Sequence, residues 1–242
     1  MPTLLILGGT SDVARAAALV FGAEGWSIEL AGRDKDLTEK VANDLSFRLN
    51  KKVIYHTFDI LSDNHEAFWE SFTVKPDGVL CAIGAMGDQV QAQTDWPLAE
   101  KILRSNFFGF VPLLDLVAQS FETRGSGVIV GISSVAGDRG RASNYFYGAA
   151  KAAFTTYLSG LRNRLANRGV KVITVKPGYI LTKMTEGFNT PKLLTARPEK
   201  VAKDIWRAVA KKRDVIYSKW VWRWIMGIIK SIPEFWFKKL KL

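Results

Sequence analysis

The sequence predicts a single α/β domain built on a doubly wound parallel sheet of about seven strands, with helices on both faces. Two patterns carry that expectation. Short apolar, β-branched runs at 3–7, 26–31, 52–58, 77–83, 127–132, 170–176 and 214–217 alternate with longer stretches of helical periodicity, the order that builds parallel sheets through crossover helices. The first run ends in Gly8-Gly9-Thr10-Ser11-Asp12 and passes into an Ala-rich helical stretch, a strand, tight turn and helix start. With 242 residues, 48% hydrophobic and 24% charged, the chain is ample for one such core.

The turn after the first strand is where backbone N–H groups and a helix dipole receive a pyrophosphate, so Gly8, Thr10, Ser11, Asp12 and Val13 are candidate contacts. A carboxylate beside a pyrophosphate repels it, so Asp12 is expected to turn aside and cap the helix at 13–23. The second strand ends in Ala31-Gly32-Arg33-Asp34. Ala31 stands where an acidic residue would hold ribose hydroxyls, and Arg33 is placed for a 2′-phosphate, which favours NADP(H) over NAD(H). An amphipathic helix at 37–49 leads to the third strand, which ends at Asp59-Ile60. The fourth ends at Gly84, where a missing side chain lets the backbone approach a cofactor. Met86, Gln89 and Gln91 follow as candidate pocket residues. One long helix is read from 98 to 122, with Asn106 in its middle, a poor choice on propensity grounds.

The fifth strand, 127–132, delivers Ser133 and Ser134 to its C-terminal end, where open α/β sheets bind ligands. After a loop rich in Gly, Asp and Arg, Asn144 starts a helix on which Tyr147 and Lys151, four apart, share a face. A free phenol titrates near pH ~10, and an adjacent ammonium is expected to bring Tyr147 towards the working range. Ser134 is placed to hold a carbonyl oxygen. The sixth strand ends in Pro177-Gly178-Tyr179-Ile180-Leu181-Thr182, and residues 183–198 read as a mobile lid.

Ser134, Tyr147 and Lys151, with Tyr147 thirteen positions after Ser134, resemble the active site of the short-chain dehydrogenase/reductases. The likeness runs over about residues 3 to 217. It implies a Rossmann-type fold in which Asn106, 28 positions before Ser134, completes a catalytic tetrad and holds a water linked to Lys151, so that a proton is relayed from solvent to Tyr147. It also implies that Asp59 caps an adenine edge, that Ile60 packs on the ring, and that Pro177, Gly178, Ile180 and Thr182 fix the nicotinamide. The family has three glycines in the first turn; here Asp12 and Ala14 stand at the second and third positions. Its members are usually dimers or tetramers, so a homodimer or homotetramer is expected.

One cysteine, Cys81, excludes an internal disulfide framework, and no signal-peptide pattern opens the chain, so a cytoplasmic location is expected. Two His and one Cys argue against a metal site. The net charge of +11 is concentrated: from Lys200 onward twelve Lys/Arg face three acidic residues. Residues 218–242 are read as an extension to the domain at 1–217. Five of the eight Trp (Trp206, Trp220, Trp222, Trp224 and Trp236) fall after Lys200. On a helical wheel Lys219, Arg223, Gly227, Lys230 and Ser231 form a polar strip and the rest is apolar. Fourteen residues reach only ~21 Å, too short to cross a bilayer, so peripheral contact with the inner face of a membrane is the favoured reading. Packing on the core, closure of the substrate pocket or a dimer contact is the alternative. No nucleic-acid module accompanies the basic charge.

The expected activity is hydride transfer between NAD(P)(H) and a ketone or secondary alcohol. The glycine turn, the Ser133–Arg141 loop and the basic, aromatic tail resemble the branch of reductases that act on a keto-pentose carried by a polyprenyl phosphate, alongside an oxidase partner. In that reading Arg139 and Arg141 meet the phosphate. The alternatives are a soluble carbonyl or acyl-chain reductase and a non-catalytic cofactor-binding sensor or scaffold.

Overall fold

The computed structural model describes residues 1–187 and 190–240. Its seven strands are β1 (Thr3–Leu7), β2 (Ser27–Gly32), β3 (Ile54–Thr57), β4 (Gly78–Cys81), β5 (Gly127–Ile132), β6 (Val170–Pro177) and β7 (Val215–Ser218). They form one parallel sheet in the order β3-β2-β1-β4-β5-β6-β7. The helices are α1 (Asp12–Ala23), α2 (Lys35–Leu49), α3 (His65–Glu70), α4 (Gln89–Ala92), α5 (Trp96–Leu103), α6 (Val111–Arg124), α7 (Tyr145–Leu165), α8 (Pro198–Ala210), α9 (Val221–Ser231) and α10 (Glu234–Phe237).

Both faces of the sheet are covered, and β1 shows why its sequence is apolar throughout. Leu4 and Ile6 point to one core, with α1, α2 and α8, while Leu5 and Leu7 point to the other, with α3, α6 and α7. Alternate side chains of a strand face opposite ways, so a strand buried on both sides needs no polar residue. Helix α1 starts at Ser11, whose hydroxyl accepts from the Ala14 N–H at 3.2 Å. Its small Ala14, Ala17 and Ala18 let it lie close to the sheet. Helix α2 starts at Asp34, whose carboxylate accepts from the Leu37 N–H at 2.9 Å.

The long helix expected over 98–122 is two helices. Between α5 and α6 the chain makes a π turn at Arg104–Phe108, with the Gly109 N–H bonded to the Arg104 carbonyl. Pro112 lies in the first turn of α6; it has no N–H to give and its ring crowds the carbonyl four residues earlier, so it starts a helix but cannot continue one.

Two corrections concern the tail. The apolar arc of α9 is divided: Trp222 and Met226 are buried with Val135, backed by Leu194, Tyr217, Val221, Ile225 and Ile229. Trp220, Trp224 and Ile228 face outward. Arg139 and Arg141 hold this tail in place. Arg139 donates to the Lys230 and Ile232 carbonyls and to the Glu234 carboxylate, and lies 4.2 Å from the centre of the Phe237 ring. Arg141 donates to the Met226 sulfur at 3.4 Å. Loop arginines engaged in this way are not laid out to receive a phosphate. Behind them, buried Lys176 pairs with Asp138 at 2.5 Å and Tyr217 donates to the same carboxylate at 2.7 Å, a cluster that fixes the loop after β5 against β6 and β7.

Candidate active site

Every candidate cofactor contact falls at the C-terminal end of the sheet. The strand order reverses between β1 and β4, and crevices of this kind are where open α/β sheets take their ligands. Gly8 has a positive φ of 77°, and a Cβ there would lie 2.9 Å from the Ile83 side chain and 3.1 Å from the Ala82 carbonyl oxygen. Glycine therefore serves both the turn and the close approach of β1 to the segment after β4. The N–H groups of Asp12 and Val13 lie in the first turn of α1, where a helix offers them no internal partner. These residues fit a dinucleotide pyrophosphate. Asp12 does not cap α1; Ser11 does, and the Asp12 carboxylate instead accepts from the Lys183 N–H at 3.1 Å. The glycine turn is thus tied to the segment after β6. Thr10 lies within that turn.

Ala31 is buried at the end of β2 and Arg33 is exposed beyond it. Because Asp34 is committed to capping α2, Arg33 is the residue of this loop that presents charge to a ligand. Asp59, after β3, receives the Leu61 N–H at 3.0 Å, and the Ile60 carbonyl is bonded to His65. At Gly84 a Cβ would come within 3.0 Å of Asn106 Oδ1 and 3.2 Å of Lys151 Nζ.

The four expected catalytic residues come together. Ser134 follows β5, and a one-turn helix at Val135–Gly137 presses the chain against α7. That approach needs two glycines: a Cβ on Gly137 would lie 2.7 Å from Lys151 C, and one on Gly148 would lie 2.9 Å from the Ala136 oxygen. Ser133, read beside Ser134 in the sequence, turns inward and donates to the Lys151 carbonyl at 2.9 Å. The Ser134 hydroxyl accepts from the Ala136 N–H at 3.1 Å and lies on the side of the chain facing Tyr147, whose phenol it influences.

The electrostatics differ from the expectation. Burial pushes the Tyr147 phenol up to about 12, and the neighbouring Ser134 hydroxyl opposes this only in part. Burial also pulls Lys151 down to about 8. Its ammonium lies 5.7 Å from the centre of the Tyr147 ring and donates to the Ile132 and Ile83 carbonyls at 3.1 and 3.3 Å. Lys151 therefore does not bring Tyr147 towards neutral pH here; desolvation dominates. Asn106 is fully buried at the π turn. Its amide donates to the Ala85 and Ile102 carbonyls at 2.6 and 2.8 Å, and its Oδ1 accepts from the Ala85 N–H at 3.2 Å. It clamps the backbone next to Gly84.

After β6, the turn from Pro177 to Thr182 is held by a bridge between Ile180 and Ala196 and by Thr185, whose hydroxyl donates to the Ile180 carbonyl at 2.5 Å. The Thr182 hydroxyl reaches that same carbonyl at 3.5 Å. Sequence reasoning missed one residue that matters to this turn. The Trp222 indole occupies the space beside Gly178 and donates its Nε1–H to the Leu194 carbonyl at 3.0 Å, so α9 braces both the turn and the lid segment. The lid reading covers Phe188 and Asn189, which lie outside the described residues. Among the described residues no cluster of His, Cys, Asp or Glu has the makings of a metal site.

A parallel sheet wound on both faces, with a glycine turn at its crossover and Ser, Tyr and Lys gathered at one crevice, defines a dinucleotide-dependent oxidoreductase. The short-chain dehydrogenase model matches residues 2–192, and the chain belongs to that family. It is an NAD(P)-dependent oxidoreductase. It is 32% identical over 244 residues to an uncharacterised oxidoreductase of Mycobacterium tuberculosis, covering 98% of this chain and 96% of the relative. A second uncharacterised oxidoreductase, from Streptomyces coelicolor, is 30% identical over 242 residues, with 98% and 95% covered. Among solved structures the fold is shared with levodione reductase (TM-score 0.79, 22% identity, 89% and 95% covered). It is shared equally with a short-chain dehydrogenase from Sphingobium yanoikuyae in complex with NADPH (TM-score 0.79, 21% identity, 97% of each chain).

Proposed function

We propose that this oxidoreductase uses NADPH to reduce a ketone to a secondary alcohol on a lipophilic substrate, a sugar carried by a polyprenyl phosphate. The observation that carries the reaction is the convergence of buried Ser134 and Lys151 on Tyr147, with the Lys151 ammonium 5.7 Å from the centre of the Tyr147 ring. The nicotinamide, when bound, supplies the hydride to the carbonyl carbon. Tyr147, held protonated by burial, gives its proton to the carbonyl oxygen as charge builds there. Ser134 donates a hydrogen bond to the same oxygen. Lys151 holds the cofactor ribose and restores the proton, and Asn106 fixes the Ala85 backbone that walls the site. Gly8, Thr10, Ser11 and Val13 take the pyrophosphate, Arg33 a 2′-phosphate, Asp59 and Ile60 the adenine, and Pro177, Gly178, Ile180 and Thr182 the carboxamide.

The lipid-linked substrate is supported by the apolar side chains left exposed in the segment after β6, Leu181, Met184 and Leu193. An oxidase partner supplies the ketone, and the enzyme works from the cytoplasm at the inner face of a membrane, as a homodimer or homotetramer. A second reading, a soluble carbonyl or acyl-chain reductase whose tail only completes the pocket, is favoured by the buried Trp222 and Met226 stripe.

The test is Tyr147→Phe. NADPH binding, followed by its fluorescence, is expected to be unchanged, with ketone reduction down by about 10²- to 10⁴-fold. Retained turnover overturns the assignment.

A further inference from the structure

We propose that the outer face of α9 and α10 is a docking surface for an anionic lipid bilayer. The proposal rests on the lipid-linked reading for its purpose only; lipid binding is measured without turnover. Trp220, Trp224 and Ile228 recur at four-residue spacing and are 74%, 66% and 67% exposed, while the opposite side of α9 buries Trp222 and Met226. Phe235 and Trp236 add 56% and 61% exposure on the helix that follows. Single exposed aromatics are ordinary, but a run of large apolar residues on one outward face marks an interaction site.

Charge selects the occupant. Arg223, Lys230, Lys238 and Lys239 are exposed along this segment. The one acidic residue after Lys219 is Glu234, and its carboxylate is paired with Arg139. Indoles and basic side chains together match the headgroup layer, where aromatic rings sit at the interface and anionic lipids attract Lys and Arg. A second copy of this chain would bring the same positive charge against itself. Helix α9 has eleven residues, about 16 Å of helix, so it lies in the plane of the surface. Among the described residues no helix is long and apolar enough to cross a membrane.

The surface is beside the site. Trp222 packs with Val135, the neighbour of Ser134, and against Gly178, while Lys219 donates to the carbonyl of Leu193, which is 83% exposed. A bilayer meeting Trp220 and Trp224 would lie next to the segment after β6 that Lys219 and Trp222 hold.

Because Trp222 and Met226 belong to the core, deleting the tail would open it, so surface variants of the full chain are the test. The protein is mixed with phosphatidylcholine vesicles, with or without about 30% phosphatidylglycerol, and sedimented. Binding is expected to the anionic vesicles only and to weaken as salt rises about fivefold. The triple variant Trp220→Ser, Trp224→Ser, Ile228→Ser is expected to lose at least about tenfold in partitioning. A second variant, Lys230→Glu, Lys238→Glu, Lys239→Glu, keeps the apolar stripe and is expected to lose anionic binding as well. No wild-type binding, or undiminished binding by either variant, overturns the proposal. So does wild-type self-association in the absence of lipid that the triple variant abolishes, which would make the occupant a second copy. None of these outcomes touches the Tyr147→Phe result.

Discussion

A Cβ built on Gly178 would come within 2.0 Å of the Trp222 indole, so the turn after β6 and helix α9 share one volume. Gly178→Ala is expected to push the indole off its place, costing roughly 1–3 kcal/mol of stability in urea unfolding, as overpacking does. Combined with Trp222→Ala the same substitution has room. The double variant is therefore expected to be more stable than the sum of the two single effects predicts, the mark of contacting residues. Additive losses would show that Gly178 serves backbone conformation alone.

Lys151 gives a pH dependence with a definite sign. In the folded protein it loses its proton near pH 8, because burial disfavours its charge, whereas unfolded it keeps the proton to about 10.5. Between those values the unfolded chain binds more protons, so this group's contribution to stability rises with pH, by up to about 1.4 kcal/mol per unit. Below pH 8 both states are protonated and the slope vanishes. Urea unfolding of the wild type and Lys151→Met at about pH 7, 8.5 and 10 isolates the effect. The wild-type free energy minus the variant's is expected to climb across the upper two values; a flat difference would rule out a depressed Lys151.

Asn106 makes three hydrogen bonds from a fully buried position. Asn106→Ala leaves the Ala85 N–H and carbonyl without these partners, at about 1–3 kcal/mol for buried polar groups so stranded. The backbone beside Gly84 loses its clamp at the same time. The expected outcome is a lowered melting temperature together with a raised KM for NADPH, measured on the same preparation.

How far the sequence disclosed this follows from the range of the forces involved. The strands, the glycine turn and the shared face of Tyr147 and Lys151 are legible because apolar runs, turn residues and four-residue spacing are local signals, whereas the joining of Ser134 to them rests on the family resemblance. The break at Pro112 is also a local signal, but the apolar periodicity that continues across it hides it. Two other features depend on contacts that no spacing encodes. Asp12 bonds to a residue 171 positions away, and Arg139 to one 95 positions away. The tail shows the limit most clearly: the wheel separated polar from apolar on α9, but only packing decided that Trp222 goes inward and Trp224 outward.

In the proposed function Arg33 carries the choice of cofactor. It is exposed at the end of β2, beside buried Ala31, and Asp34 is turned to the start of α2. No carboxylate from Ala31 is there to bind ribose hydroxyls, and a guanidinium in this place forms charge-assisted bonds with a 2′-phosphate. Arg33→Ser removes those bonds and leaves the site otherwise intact. At about 1.5–3 kcal/mol for a hydrogen bond to a charged group, KM for NADPH is expected to rise by about 10- to 100-fold, while that for NADH stays within about twofold. Steady-state kinetics with both cofactors read the ratio directly. An equal rise for both would place Arg33 on the shared part of the dinucleotide, and no rise for either would leave it a solvated surface residue.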